Sequence, residues 1–350
     1  MSRWIAWACG VAALLAGTAA YPCGAPFGNN ITVDPHQDII VAWKDGVETY
    51  AFQPTFCGQA TDFGLILPVP ALLSQNPTVN DQQTFATVVT LSEPTKREVS
   101  VSSGGIGCGG SDSAGTGGAN DDTPAVVASG QVGILDWSQI KADNESSLTE
   151  WLSKNGYPYS AGASTVFSYY VGKGWYFLAF RINQQAVAGG GTICRSLGPI
   201  ALSFPTSVPV VPSAMASADA ATDSSYQQVS WRIFGITHGD VQLTFSNANS
   251  YDKVLWYSGA ISDASLASLG GLAATGDRLT RLALTFTKSA SSTDVDLELA
   301  PATDYRGVED VYVHDDSMCS VGPHSRLARH GLLLLFGLAT LGLLFWRRWR

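Results

Sequence analysis

Hydrophobic positions along this chain fall mostly into short runs, alternating or continuous over five to eight residues, with few at helical spacing. Residues 38–43 (DIIVAW) and 47–52 (VETYAF) flank Lys44-Asp45-Gly46. An Asp-Gly step between two such runs predicts a hairpin. Residues 62–69 (DFGLILPV) predict a third strand, ended by Pro68 and Pro70, because proline has no N–H to give a central ladder. Residues 85–91 (FATVVTL) predict a fourth. A second hairpin is predicted from 166–171 and 175–182 (WYFLAFRI), joined by Gly172-Lys173-Gly174. Its second arm is apolar at both parities through Phe180, as in a strand covered on both faces. Further strands are expected at 200–204, 228–236, 241–245, 253–257 and 279–287. Residues 294–299 (DVDLEL) alternate strictly, which predicts a half-exposed strand with Asp294, Asp296 and Glu298 on its solvated face.

Helical signals are sparse. At 147–155, Ser147 and Glu150 form an S-x-x-E capping pattern, Leu148, Trp151 and Leu152 make an apolar face, and Gly156 supplies a stop. A shorter helix is expected at 263–269, with Ser262 as cap and Gly270 as stop. The fold class these elements predict is α+β, predominantly antiparallel β with one or two short helices.

The two ends read differently. Residues 1–20 carry one charge, Arg3, then an apolar run and the small residues Thr18-Ala19-Ala20, the pattern of a secretory signal peptide cleaved near Ala20. Residues 331–346 (GLLLLFGLATLGLLFW) contain eight leucines and no charge. A helix over them is about 24 Å long, a short single transmembrane helix against ~30 Å of hydrocarbon. The cluster Arg347, Arg348 and Arg350 at 347–350 sets its C-terminus in the cytoplasm. The ectodomain between them divides into β-rich parts at 21–101 and 125–318. A spacer at 319–330 precedes the membrane run.

Between those parts, residues 102–124 (SSGGIGCGGSDSAGTGGANDDTP) hold almost no large apolar side chain. Such a segment cannot offset its chain entropy by burial and is expected to be a flexible loop. Its formal G-x-G-x-x-G, Gly105 to Gly110, runs on into more loop instead of opening a helix, so it is not a dinucleotide site. Asp112, Asp121 and Asp122 lack the EF-hand spacing.

Of six cysteines, Cys9 leaves with the signal peptide. Cys23, Cys57, Cys108 and Cys194 form an even set in an oxidising compartment, so two disulfides are expected. Four cysteines allow three pairings; Cys23–Cys57 with Cys108–Cys194 closes the shorter loops. No CxxC and no histidine at ligand spacing supports zinc. That leaves Cys319 without a partner, just before the membrane run.

From Tyr21 to Met318 the chain has 14 basic and 29 acidic residues, a net charge of −15, which argues against a nucleic-acid partner, since that needs basic patches. H-E-x-x-H, G-x-S-x-G and Walker sequences are absent. No catalytic residue, cofactor or metal is expected on this reading. A glycosidase carboxylate pair need not be close in sequence, so a hydrolase is kept as the second reading. Asn30-Ile31-Thr32 and Asn144-Glu145-Ser146 are formal glycosylation sequons.

Several segments taken in order resemble a bacterial family, domain of unknown function number 2330. They are Cys23-Gly24, DFGLILPVP at 62–70, WLSKNGY at 151–157, GWYFLAFRIN at 174–183 and LGPIALSFPTSVPVVP at 197–212. The resemblance implies a secreted or envelope-anchored module and transfers no catalytic residue. Separately, Cys319, the spacer, the apolar run and the Arg cluster resemble a myxobacterial-type C-terminal sorting tail. That implies a sorting protease acting near Cys319. The functional expectation is an envelope-anchored surface module, non-catalytic, with the membrane and an envelope or surface component as partners. The alternative is an extracellular hydrolase acting on polysaccharide or peptidoglycan.

Overall fold

The structure, a computed structural model, describes residues 25–27, 32–33, 36–59, 63–101, 124–157, 159, 162–187, 192–218, 228–246, 252–287 and 292–314. The signal peptide, Cys23, residues 102–123 with Cys108, Cys319, the 331–346 run and the terminal arginines lie outside them. No helix among the described residues is long and apolar enough to cross a membrane.

Strands β1 to β7 run over Ala25–Phe27, Thr32–Val33, His36–Lys44, Val47–Phe52, Thr55–Gln59, Gly64–Val69 and Thr78–Val79. Helix α1 (Gln82–Leu91) leads to β8 (Thr95–Val101), β9 (Ala125–Val132) and β10 (Leu135–Lys141). Helices α2 (Glu145–Lys154) and α3 (Ala163–Gly172) precede β11 (Tyr176–Ile182), β12 (Thr192–Ser196) and β13 (Ile200–Pro205). After a 3-10 turn (Ser213–Ser217) come β14 (Gln228–His238), β15 (Val241–Phe245) and β16 (Asp252–Ala260). Helix α4 (Asp263–Leu266) runs into a second 3-10 turn (Ala267–Leu269), then β17 (Asp277–Thr287), β18 (Leu297–Pro301), β19 (Tyr305–Arg306) and β20 (Val308–His314).

The chain forms two units. The larger, Met1–Thr95 with Ser111–Val308, holds an eight-stranded sheet ordered β19-β16-β17-β14-β3-β4-β13-β7 and a five-stranded sheet ordered β1-β6-β11-β10-β9. Pairing is antiparallel except between β14 and β3, which run parallel. The inner faces of both sheets share one core containing Ile39, Val41, Phe52, Leu65, Phe180 and Trp231. The outer face of the five-stranded sheet, with Ile66, Phe177 and Ala179, buries against Leu148 of α2 and Phe167 and Tyr170 of α3. The outer face of the eight-stranded sheet, with Ile40, Ala51 and Phe234, buries against Phe85 and Val88 of α1 and Leu269. Four layers result. Consecutive residues of β3 enter different cores, and so do those of β11, which is why WYFLAFRI carries no alternation. Burying one side chain of this size contributes about 1.5–3 kcal/mol.

The smaller unit, Lys96–Gly110 with Glu309–Arg350, contributes most of the β8–β20 ladder. There the Arg97 guanidinium holds the Asp310 carboxylate through two hydrogen bonds of 2.7 and 2.9 Å. That contact lowers the Asp310 pKa from its ordinary value.

Several expectations are corrected. Residues 85–91 are not a strand but part of α1, whose Asp81 cap accepts the Gln83 N–H. Thr84, Phe85 and Val88 are its buried face, a helical spacing that outweighs the β-branched content. Residues 166–171 belong to α3, with Ala163, Val166, Phe167 and Tyr170 buried at spacings of three and four. Four α-helices therefore stand among the described residues where one or two were expected. Helix α2 starts earlier than its sequence pattern suggests, because Asn144 Oδ1, not Ser147, caps it by accepting the Ser147 N–H at 2.8 Å. Ser262 precedes α4 without a side-chain cap bond. Pro68 does not end its strand: β1 pairs only with Gly64–Ile66, so one side of β6 has no ladder at Pro68 to be broken. Of the strand expected at 294–299, only the part from Leu297 on is in β18 (Leu297–Pro301), and Asp294, ahead of it, is buried instead of solvated.

Candidate functional site

The β3–β4 hairpin closes through Asp45 (φ 52°) and Gly46 (φ 79°), the left-handed pair that a two-residue turn demands. Beside β3, strand β14 ends at His238, and its register partner at the start of β17 is Asp277. The segment before Asp277 turns through Gly270 (φ 58°) and Gly271 (φ 80°). A side chain at Gly270 would also meet Asn80 Oδ1 at 2.8 Å and Thr84 Oγ1 at 2.9 Å, so glycine is required there twice over.

These elements enclose a recess of about 300 Å³ on the outer face of the eight-stranded sheet. Two cross-strand rows shape it. One is Thr49, Ala42 and Ile236, register partners across β4, β3 and β14. The other lies two residues nearer the strand ends and comprises Val47, Lys44, His238 and Asp277. Leu272 walls it.

The polar centre is His238 with Asp277. Nδ1 lies 2.6 Å from Asp277 Oδ1. The Asp277 side chain is 7% exposed, that of His238 55%. Asp277 Oδ2 accepts the Ala274 N–H at 2.7 Å. A carboxylate engaged this way acts as acceptor only, so Nδ1 carries a proton, and whenever the ring is neutral Nε2 is the acceptor. Nε2 has no hydrogen-bond partner among the described residues. An oriented imidazole of this kind can accept a ligand hydroxyl or take a proton from water. Among the described residues no group of three or more His, Cys, Asp or Glu side chains is placed to hold a metal.

Two further buried acids lie away from the recess. Asp294 accepts hydrogen bonds from Lys173 Nζ at 2.9 Å, from the Ala214 N–H at 3.1 Å and from the Tyr170 hydroxyl. Lys173 Nζ also sits over the Trp175 ring, 4.3 Å from its centroid. Burial raises the Asp294 carboxyl, against the pull of Lys173, Tyr170 and Ala214. Partial burial opposes the charge on Lys173, but Asp294 outweighs it and holds the ammonium above its ordinary value. With a cation and two more donors in place, we take the pair as ionised at neutral pH. Glu48 is fully buried among the inner-face side chains. Its Oε2 accepts the Val210 N–H at 2.8 Å, while Oε1 has no hydrogen-bond partner among the described residues. Burial raises its carboxyl well above the ordinary value, which the Val210 bond offsets only in part.

Of the residues singled out from sequence, Cys57 is disulfide-bonded, and Cys194 is its register partner across β5 and β12. Cys23, Cys108, Cys319, Arg347, Arg348 and Arg350 lie outside the described residues. Sequence reasoning missed the recess: His238 and Asp277 stand 39 positions apart, and only the β14–β17 register joins them. Trp151, Trp175, Trp137 and Trp231 are buried in cores.

The profile of a bacterial family described as "Uncharacterized protein conserved in bacteria (DUF2330)" matches residues 17–300. No curated protein matches the chain. The crystal structure of baculovirus P35 is similar to it at a TM-score of 0.33 and 9% identity, over 80% of this chain and 100% of that one. That likeness is too distant to carry fold or function across.

Proposed function

The chain belongs to the DUF2330 family of uncharacterized bacterial proteins, and from that premise we propose that it is an exported module held at the cell envelope, acting by binding and not by catalysis. The recess beside the β3–β4 hairpin carries this reading. Most of its lining comes from β3, β4, β14 and β17, and both oxygens of its one buried carboxylate are engaged, Oδ1 with His238 and Oδ2 with Ala274. Asp277 thereby serves to fix the recess. The second reading, an extracellular hydrolase acting on polysaccharide or peptidoglycan, is favoured by the same His238, whose open Nε2 suits a general base.

Incubating the purified full chain with isolated bacterial cell wall separates the two. Retention in the pellet without release of soluble fragments is expected. Fragment release that His238→Ala abolishes would establish the hydrolase instead, and neither retention nor release would sink both.

Export supplies the rest of the proposal. A signal peptide ends near Ala20, and the 331–346 helix holds the chain in the membrane with Arg347, Arg348 and Arg350 inside. A sorting protease then cuts near Cys319, the residue that Cys319→Ala would remove. Cys57 is proposed to pair with Cys194 in preference to Cys23, because register partners lie about 4.5–5.5 Å apart at Cα, within disulfide reach. Intact-mass analysis with non-reducing peptide mapping tests these points. A wild-type chain that keeps Met1 excludes signal removal, one that keeps Arg350 leaves a permanent anchor, and a Cys23–Cys57 peptide excludes the cross-strand bridge.

A further inference from the structure

We propose that the recess takes one ring of a neutral saccharide, an assignment that rests on the binding reading above. Its volume, about 300 Å³, is at the lower end of small-molecule sites and suits a single ring better than a nucleotide or an extended chain.

The charges argue for neutrality. Lys44 and Asp45 are adjacent and opposite in sign, and both are exposed. The Asp277 carboxylate is already answered by His238 and the Ala274 N–H. With the His238 ring neutral, the charge left over is that of the buried Asp277 carboxylate, whose two oxygens are both engaged, and an ion pair with either exposed residue is worth at most ~1 kcal/mol.

The hydrogen-bonding groups are mixed. Lys44 Nζ is a donor, while the Asp45 carboxylate and His238 Nε2 are acceptors, and no hydrogen bond from any of the three to the described residues is found. Hydroxyl groups donate and accept at once, so a polyol can satisfy all three, whereas a purely accepting anion or a purely donating amine leaves one sign unmet.

The rows match the two faces of a sugar. Ala42 gives a partly exposed apolar floor, backed by the buried Ile236 and flanked by Thr49. The row of Lys44 and His238 runs parallel to it, roughly 6.6 Å along the strands. A pyranose laid with its C–H face on the first row brings its hydroxyl edge to the second. Thr49 Oγ1 is within 3.0 Å of Ser203 Oγ, so it is fixed and adds little rotational cost.

Saturation-transfer NMR on the full chain in detergent tests the proposal, with the disaccharide of N-acetylglucosamine as probe and D-alanyl-D-alanine as a zwitterionic comparator. Saturation of the disaccharide is expected. Ala42→Leu, which covers the floor, and His238→Ala, which removes the acceptor, should each weaken it about tenfold, the worth of roughly one hydrogen bond or one methylene contact set. Thermal melts matching wild type show that the variants fold. No saturation of the disaccharide, or saturation indifferent to both substitutions, overturns the proposal. Saturation of the dipeptide alone overturns the saccharide class. In every case the cell-wall retention measurement judges the binding reading separately.

Discussion

Glu48 and Asp294 are both buried acids of the larger unit, and their surroundings are opposite. Asp294 has a cation, a hydroxyl and a backbone N–H converging on it. Among the described residues, Glu48 has one backbone donor and an oxygen with no hydrogen-bond partner. Burial raises both carboxyls, yet only Asp294 has the means to stay ionised. Equal burial thus gives one fastener and one stored proton. Asp294 ties its segment to α3 and to the 3-10 turn, while Glu48 occupies the inner core as a neutral acid.

The largest effect that would break this comparison is at Asp294. Asp294→Ala strands Lys173 and the Tyr170 hydroxyl and should cost about 3–5 kcal/mol in urea unfolding. A loss below ~1 kcal/mol would mean that the cluster holds nothing. The second effect is on pH dependence. The native state keeps a proton on Glu48 that the unfolded chain releases above its ordinary value of 4.5. Stability from this group is therefore complete at lower pH and falls as pH rises towards the folded-state value, by up to ~1.4 kcal/mol per pH unit. Denaturation of wild type and Glu48→Gln across pH 4 to 8 should show the variant gaining steadily, and parallel curves would refute a buried neutral Glu48. Third, Lys173→Met should cost about 1–2 kcal/mol, less than the change at Asp294, because Tyr170 and Ala214 still serve the carboxyl, which can also take a proton. Equal costs at the two positions would make the ion pair the whole of the cluster. The smallest effect is Glu48→Gln at pH 4, where amide and protonated acid are near-isosteres that both accept from Val210. A difference above ~1 kcal/mol there would show that Oε1 matters in a way its missing partner does not suggest.

Much of the fold was legible in the sequence. Asp45-Gly46 gave the β3–β4 turn, and the unbroken apolar run of β11 gave a strand covered twice. Helices α1 and α3 were misread because a seven-residue apolar run has no decisive period by itself. The deciding signals were Asp81 ahead of Phe85 and the 163, 166, 167, 170 spacing of α3. Asp294 was assigned to water because alternation marks faces without saying what covers them; Lys173 and Tyr170 come from more than 120 positions away. The recess had no local signature at all, since its rows exist only once β4, β3, β14 and β17 are in register.

The parallel pairing of β3 with β14 has a consequence for the chain as it is made. Asp38 and Arg232, bridged by two hydrogen bonds of 2.6 Å, stand 194 positions apart. The β3–β4 hairpin can form within moments of its synthesis, but the other edge of β3, with Ile39, Ile40 and Val41, waits for β14. At about 5–20 residues per second, that apolar edge spends on the order of ten seconds or more open to any passing strand. Nascent chains stopped short of residue 228 should therefore depend on a holding chaperone and aggregate without one, while chains extended past His238 should not.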